Sequence, residues 1–150
     1  MVTLRKLALG AFLTVSAFTT VTMVSCKKDD KNCEVGYEGS DCKTEVRAKF
    51  IKTWAAEDTP PSGSKLLYSC PIVAGSSITS VVISSSFAKD FFDNNINATV
   101  SGTTITIPLQ EPDKDGIKIE GTGTLTGGKI TWTYTFSGSG SPVNNTGVWQ

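Results

Sequence analysis

Histidine is missing from all 150 residues. That removes the commonest general base and metal ligand, and with it Ser-His-Asp and Cys-His catalysis. An excess of one charge is missing too. Fourteen basic and fourteen acidic side chains cancel. Without residues 1–25, which hold Arg5 and Lys6, twelve basic side chains face fourteen acidic ones, a net charge of minus two. This is no footprint for nucleic acid. Leu, Ala and Glu runs are scarce after residue 45, while Thr, Ser, Gly, Val and Ile abound, which favours strands over helices. The length allows one ordinary domain plus extras.

The one long apolar run, Leu7 to about Val24, follows the short basic region of Arg5 and Lys6 and reads as an export signal. It ends at Met23-Val24-Ser25-Cys26. A small residue before Cys, with apolar residues behind it, resembles the lipobox of bacterial lipoproteins. The resemblance implies cleavage after residue 25 and lipidation of Cys26 with diacylglycerol and an amide-linked fatty acid such as palmitate. Each buried methylene adds about 0.8 kcal/mol, so several chains anchor the protein firmly to a membrane. The residues after it, Lys27-Lys28-Asp29-Asp30-Lys31, form a polar tether over 26–32. Acid this close to the lipid is similar to the export signal of Bacteroidetes surface lipoproteins. It implies a place on the outer membrane, facing out from the cell surface.

The cassette Cys33-Glu-Val-Gly36-Tyr37-Glu-Gly39-Ser-Asp-Cys42 resembles the last hairpin of an EGF-like module. Gly36 and Gly39 suit turns with positive φ, and Tyr37 covers one side. The resemblance implies a disulfide between Cys33 and Cys42, in a compartment where disulfides persist. It is an EGF tail over 33–42 and not a module, so no calcium site comes with it. A stapled spacer is the plain reading, and a partner-binding epitope is the other.

Cys26 and the cassette leave Cys70 single. Leu66, Tyr68, Cys70 and Ile72 share one face at period two. Cys70 is therefore an inward apolar filler with no basic partner to make it a nucleophile.

From residue 45 to 150 short alternating strands follow one another between turn residues. Val81, Ile83, Ser85 and Phe87, then Ile96, Ala98 and Val100, then Ile105, Ile107 and Leu109 mark successive faces. Ile117, Ile119, Gly121, Gly123 and Leu125 share the next, and Ile130, Trp132, Tyr134 and Phe136 the clearest one. With segments near 50–57 and 65–73 and a closing one near 146–150, this predicts an all-β, eight-stranded antiparallel meander barrel. A two-sheet sandwich is the alternative. Glycines on an inner face fit strong curvature or close side-chain approach. Phe91 and Phe92 break the rhythm and read as a cap on one barrel end, through a single helical turn, with a lid as the alternative.

The order of lipobox, tether, cassette and Arg47-Ala-Lys49-Phe50-Ile-Lys-Thr-Trp54 resembles small Bacteroidetes lipoproteins with a lipocalin-like (calycin-like) barrel. Val100-Ser-Gly102-Thr-Thr-Ile105-Thr-Ile107-Pro108 and Gly121-Thr-Gly123-Thr-Leu125 extend the resemblance. It implies no activity that transfers to named residues.

Two functions follow. The first is a non-catalytic barrel that holds a small hydrophobic ligand among Trp54, Tyr68, Ile107, Trp132 and Tyr134. The second is a surface interaction module with a filled barrel, whose loops near 57–65, 111–116 and 137–145 meet a protein or glycan. An enzyme would rest on carboxylates such as Asp90, Asp93, Glu111 and Glu120, and none is expected. Asp113-Lys-Asp115-Gly116 has the outline of a calcium loop without its closing Glu. No metal or cofactor is expected.

Overall fold

The computed structural model describes residues 33–150. The expected signal peptide, the lipidation expected at Cys26 and the expected tether all fall outside the described residues. Two short strands pair, β1 (Tyr37–Glu38) inside the cassette and β2 (Thr44–Glu45) just after it. A 3-10 turn, Val46–Lys49, leads to β3 (Lys52–Thr59), β4 (Leu66–Ala74), β5 (Ser80–Ile83), β6 (Ile96–Ser101), β7 (Thr104–Gln110), β8 (Lys118–Thr126), β9 (Lys129–Ser137) and β10 (Val143–Trp149). These eight form one closed antiparallel barrel in which β10 returns to pair with β3. The barrel, and not the sandwich, is the architecture. Closure leaves no strand edge unpaired, and it hides the single apolar face that each strand carries.

Alternation sets the faces. Inward lie Trp54 and Ala56, Cys70 and Ile72, Val81 and Ile83, Ile96, Ala98 and Val100, Ile105 and Ile107, all buried. Outward, hydroxyls follow the register from strand to strand, through Thr59, Thr146, Thr133, Thr122, Thr106 and Thr99. The predicted inward Leu109 is overturned. A register shift between Ile107 and Gln110 bulges β7 at Pro108, and Leu109 is left 58% exposed. A bulge adds a residue, so the side chain after it changes face.

The barrel has two unlike ends. At one lie the tight turns 102–103 and 127–128, the 75–79 connection and the N-terminal segment. The disulfide joins Cys33 to Cys42, and Gly36 and Gly39 take φ of +94° and +90°. The cassette packs onto the barrel. A Cβ at Gly36 would stand 2.7 Å from Ile78 Cγ2. Arg47 Nη1 donates to the carbonyls of Gly75 at 3.0 Å and Ser77 at 2.8 Å. Val46 and Phe50 are buried, and Trp54 Nε1 donates to the Phe50 carbonyl at 2.8 Å. The segment from 33 to 50 is thus the floor of the barrel.

The other end carries the connections 60–65, 84–95, 111–117 and 138–142, the first three of them the longest in the barrel. Within 84–95 the turn Phe87–Asp90 is not an ordinary helix. Ala88, Lys89 and Asp90 have φ of 52°, 61° and 60°. Three L-residues in this left-handed region cost about 1–2 kcal/mol each. They turn Phe87 inward, where it is wholly buried. Phe92 is buried behind it, as expected of a cap, while Phe91 is 48% exposed and stacks on Phe136.

Inward glycines make room for the large rings. A Cβ at Gly123 would fall 2.7 Å from Ile130 Cγ2, 2.8 Å from Ile105 Cγ2 and 2.9 Å from Trp132 Cδ2. At Gly121 it would fall 2.6 Å from Tyr134 Cβ. Two substitutions test these points in one urea titration. Gly123→Ala is expected to lower stability by about 1–3 kcal/mol through overpacking. Lys89→Gly is expected to raise it by about 1 kcal/mol by relieving the left-handed turn.

Candidate functional site

The polar centre of the barrel is Asp58. It follows Trp54 and Ala56 at period two on β3 and is completely buried. Three other strands converge on it. Tyr68 of β4 and Tyr134 of β9 donate their hydroxyls to Oδ2, the latter at 2.7 Å. Trp149 Nε1 of β10 donates to Oδ1 at 3.0 Å. A buried carboxylate needs such donors, because water no longer supplies them. No cation assists. The ion pairs found among the described residues are Arg47–Glu45, Lys49–Glu38 and Lys65–Glu57.

The backbone is shaped for this carboxylate. Asp58 faces Gly147 across the β3–β10 pairing. A Cβ at Gly147 would stand 2.1 Å from Asp58 Oδ1. Only glycine leaves that oxygen its place.

Burial, reinforced by the Asp58 charge, pushes both the Tyr68 and Tyr134 hydroxyls far above the ordinary tyrosine range. They are donors and not proton carriers at neutral pH. Burial likewise pushes the Cys70 thiol up to about 12. It is buried and unpaired with another cysteine, its Sγ lying 3.8 Å from the Ser84 carbonyl. The thiolate needed for nucleophilic attack is absent at neutral pH.

Above the carboxylate, Phe87 fills the interior. Its ring centroid lies 4.9 Å from Tyr134, 5.4 Å from Trp149 and 6.0 Å from Trp132. Trp132 and Trp149 are 5.2 Å apart. Most of these pairs are tilted or edge-on, the arrangements that aromatic quadrupoles favour. Two buried polar atoms beside this ring have no hydrogen-bond partner, Trp132 Nε1 and Ser86 Oγ.

The five residues proposed to contact a ligand separate into two groups. Tyr68, Trp132 and Tyr134 gather around Phe87 and Asp58. Trp54 belongs to the floor through its bond to Phe50. Ile107 is buried opposite Gly121 on the β7–β8 pairing. Asp58 and Trp149 were missed, while Phe87 is buried as its place on the inward face of Val81 and Ile83 predicts, though on a turn and not on the strand. Asp58 and Trp149 could have been found by continuing the inward period two residues past Ala56 and Gly147. Period two marks Phe87 as inward but not the turn that carries it, since three left-handed residues in a row have no sequence sign without glycine.

The acids of the 111–117 connection are engaged with backbone. Asp113 accepts the Asp93 amide at 3.0 Å and the Asn94 amide at 2.8 Å, and these amides hold its carboxyl below the usual range. Asp115 accepts the Ile117 amide and Glu111 the Gly116 amide. The calcium-like outline is thus a pair of loops tied together. On the outer wall a groove of about 570 Å³ crosses β7 to β10 over Thr106, Thr122, Thr133 and Thr146.

The chain matches no protein-family model, no curated protein and no solved structure.

The tyrosines set an alkaline limit. Above the ordinary tyrosine value of 10.0 the unfolded chain has released both phenolic protons and the folded chain has kept them. The unfolded state then binds fewer protons, so stability falls as pH rises, by about 1.4 kcal/mol per pH unit for each tyrosine. Urea midpoints are expected to hold below pH 9 and drop above pH 10. In Tyr134→Phe the drop is expected to have about half the slope.

Proposed function

We propose that the chain is a lipid-anchored, non-catalytic surface module that presents the loop end of a filled barrel to a partner. One observation carries the reading. The segment nearest the lipobox cysteine in sequence forms the floor at the turn end, and the three longest connections, 60–65, 84–95 and 111–117, lie at the opposite end. Six residues separate Cys26 from Cys33, a reach of at most about 20–25 Å. A lipid at Cys26 keeps the floor toward the membrane and the loops away from it. The interior suits a rigid support, because aromatic rings and a saturated carboxylate occupy it. The loops and the outer groove are then where contact is made, to a protein or a glycan.

The test is made on intact cells. Proteinase K is expected to remove an epitope tag placed after Gly140 without cell lysis. Cys26→Ser is expected to abolish palmitate labelling and leave the tag protected or released to the medium. Full protection of the tag in intact wild-type cells sinks the surface reading.

A second reading, a small hydrophobic ligand inside the barrel, is favoured by the unpartnered Trp132 Nε1 beside Phe87. Here the strained turn swings out and a ligand ring takes the place of Phe87 against Tyr68, Trp132 and Tyr134. The native chain is then expected to enhance N-phenyl-1-naphthylamine fluorescence at one dye per chain. Phe87→Trp is expected to weaken this at least tenfold. No enhancement by the native chain ends this reading and leaves the first one standing.

A further inference from the structure

The aromatic stack of the interior does not stop at the barrel rim. Tyr134 packs on Phe136 at 5.3 Å, and Phe136 meets Phe92 at 5.6 Å. Phe91 then lies flat on Phe136, with centroids 4.5 Å apart and planes within 9°. Phe91 keeps 48% of its surface exposed and Val143 keeps 42%. Exposed apolar side chains gathered at one place mark an interaction site more often than scattered ones do.

A cleft of about 360 Å³ opens beside this stack. Phe91, Ile117, Phe136 and Val143 form its apolar side. The Ser137–Ser141 stretch forms the other. That wall alternates serine with glycine, so it offers hydroxyls and bare backbone without bulk. The cleft therefore suits a flat ring, with one face on apolar carbon and an edge toward hydrogen-bonding groups. Tryptophan and tyrosine side chains have that character.

The surroundings select a charge. The connections 84–95 and 111–117 hold five carboxylates, Asp90, Asp93, Glu111, Asp113 and Asp115, against Lys89 and Lys114. None of the five takes part in an ion pair among the described residues. Asp90 and Asp93 are exposed on either side of Phe91 and Phe92 in the chain. The 138–142 connection has no charge to offset them. Such a field attracts cations and repels acidic segments, and it does so more strongly at low salt.

We propose that the loop end carries a docking cleft for a basic peptide segment with an aromatic side chain. The ring enters beside Phe91 and Phe136, and lysines or arginines on either side of it face Asp90, Asp93 and Asp115. This rests on the reading that the loop end meets a partner, and it names the chemistry of that partner.

The full chain, held in nanodiscs of zwitterionic lipid, is titrated with three fluorescein-labelled peptides and read by anisotropy against empty nanodiscs. The peptides are Lys-Lys-Trp-Lys-Lys, Lys-Lys-Ala-Lys-Lys and Glu-Glu-Trp-Glu-Glu. The first is expected to bind at least tenfold tighter than either other and to weaken about tenfold between 50 and 500 mM salt. Phe91→Ser is expected to weaken it about tenfold with the thermal midpoint unchanged, since Phe91 is half exposed. Asp90→Asn with Asp93→Asn is expected to flatten the salt dependence. Equal affinity for all three peptides overturns the proposal, as does an unaltered affinity in Phe91→Ser. Concentration-dependent dimers that Phe91→Ser dissolves would assign the cleft to a second copy of the chain and overturn it as well. Surface exposure is read separately by the protease assay, so a buried loop end and an unselective cleft give different results.

Discussion

A carboxylate inside a closed barrel constrains everything around it. Asp58 sits on the first strand of the barrel, and its donors come from the second, the seventh and the last. The β3–β10 seam is where a meander must find its own beginning across the whole chain. Forming that pairing closes the longest loop in the domain, and the entropy of closure must be offset there. Three hydrogen bonds to one buried acceptor supply register as well as energy. A slip of one residue would turn Asp58 outward and leave two hydroxyls and an indole N–H buried without a partner.

The same constraint explains features that look unrelated. Gly147 is glycine because Asp58 Oδ1 takes the space of its Cβ. Gly121 and Gly123 are glycines because Tyr134 and Trp132 lean over β8. Rings this large cannot fill a narrow barrel unless neighbouring strands give up their side chains. One gap then remains above the carboxylate, and Phe87 closes it. The left-handed turn at Ala88, Lys89 and Asp90 is the cost of reaching in from a short connection. A residue in a sparsely populated conformation persists only where packing over-determines it, and here three aromatic contacts do so.

Alternation made the barrel legible. Ile130, Trp132, Tyr134 and Phe136 against Thr131, Thr133 and Thr135 leave little choice of face, and Cys70 follows from Leu66 and Tyr68 by the same rule. The inward glycines could be read as places of close approach. What escaped was whatever parity does not encode. Asp58 stands beside Glu57 and just before Thr59-Pro60, so it resembles the polar end of a strand. Leu109 keeps perfect period two with Ile105 and Ile107, but the bulge at Pro108 moves it outside. Phe87 is inward as alternation predicts, but the left-handed turn that makes it the stopper has no sign in the pattern. Each miss involves a side chain whose position depends on distant strands rather than on its neighbours in sequence.

The two ends of the barrel divide the chemistry. At the floor, Arg47 satisfies two carbonyls of the 75–79 connection and Phe50 seals the bottom, so that end is committed to structure. At the loop end, surplus remains. Phe91 shows an open face, five carboxylates lack a cation among the described residues, and the 138–142 connection carries little side chain. Asp113, Asp115 and Glu111 hold backbone amides, but Asp90, Asp93 and the open face of Phe91 have no such task among the described residues. Interactions that a fold does not need are the ones free to serve a partner. The surplus gathers at the end farther from residue 33.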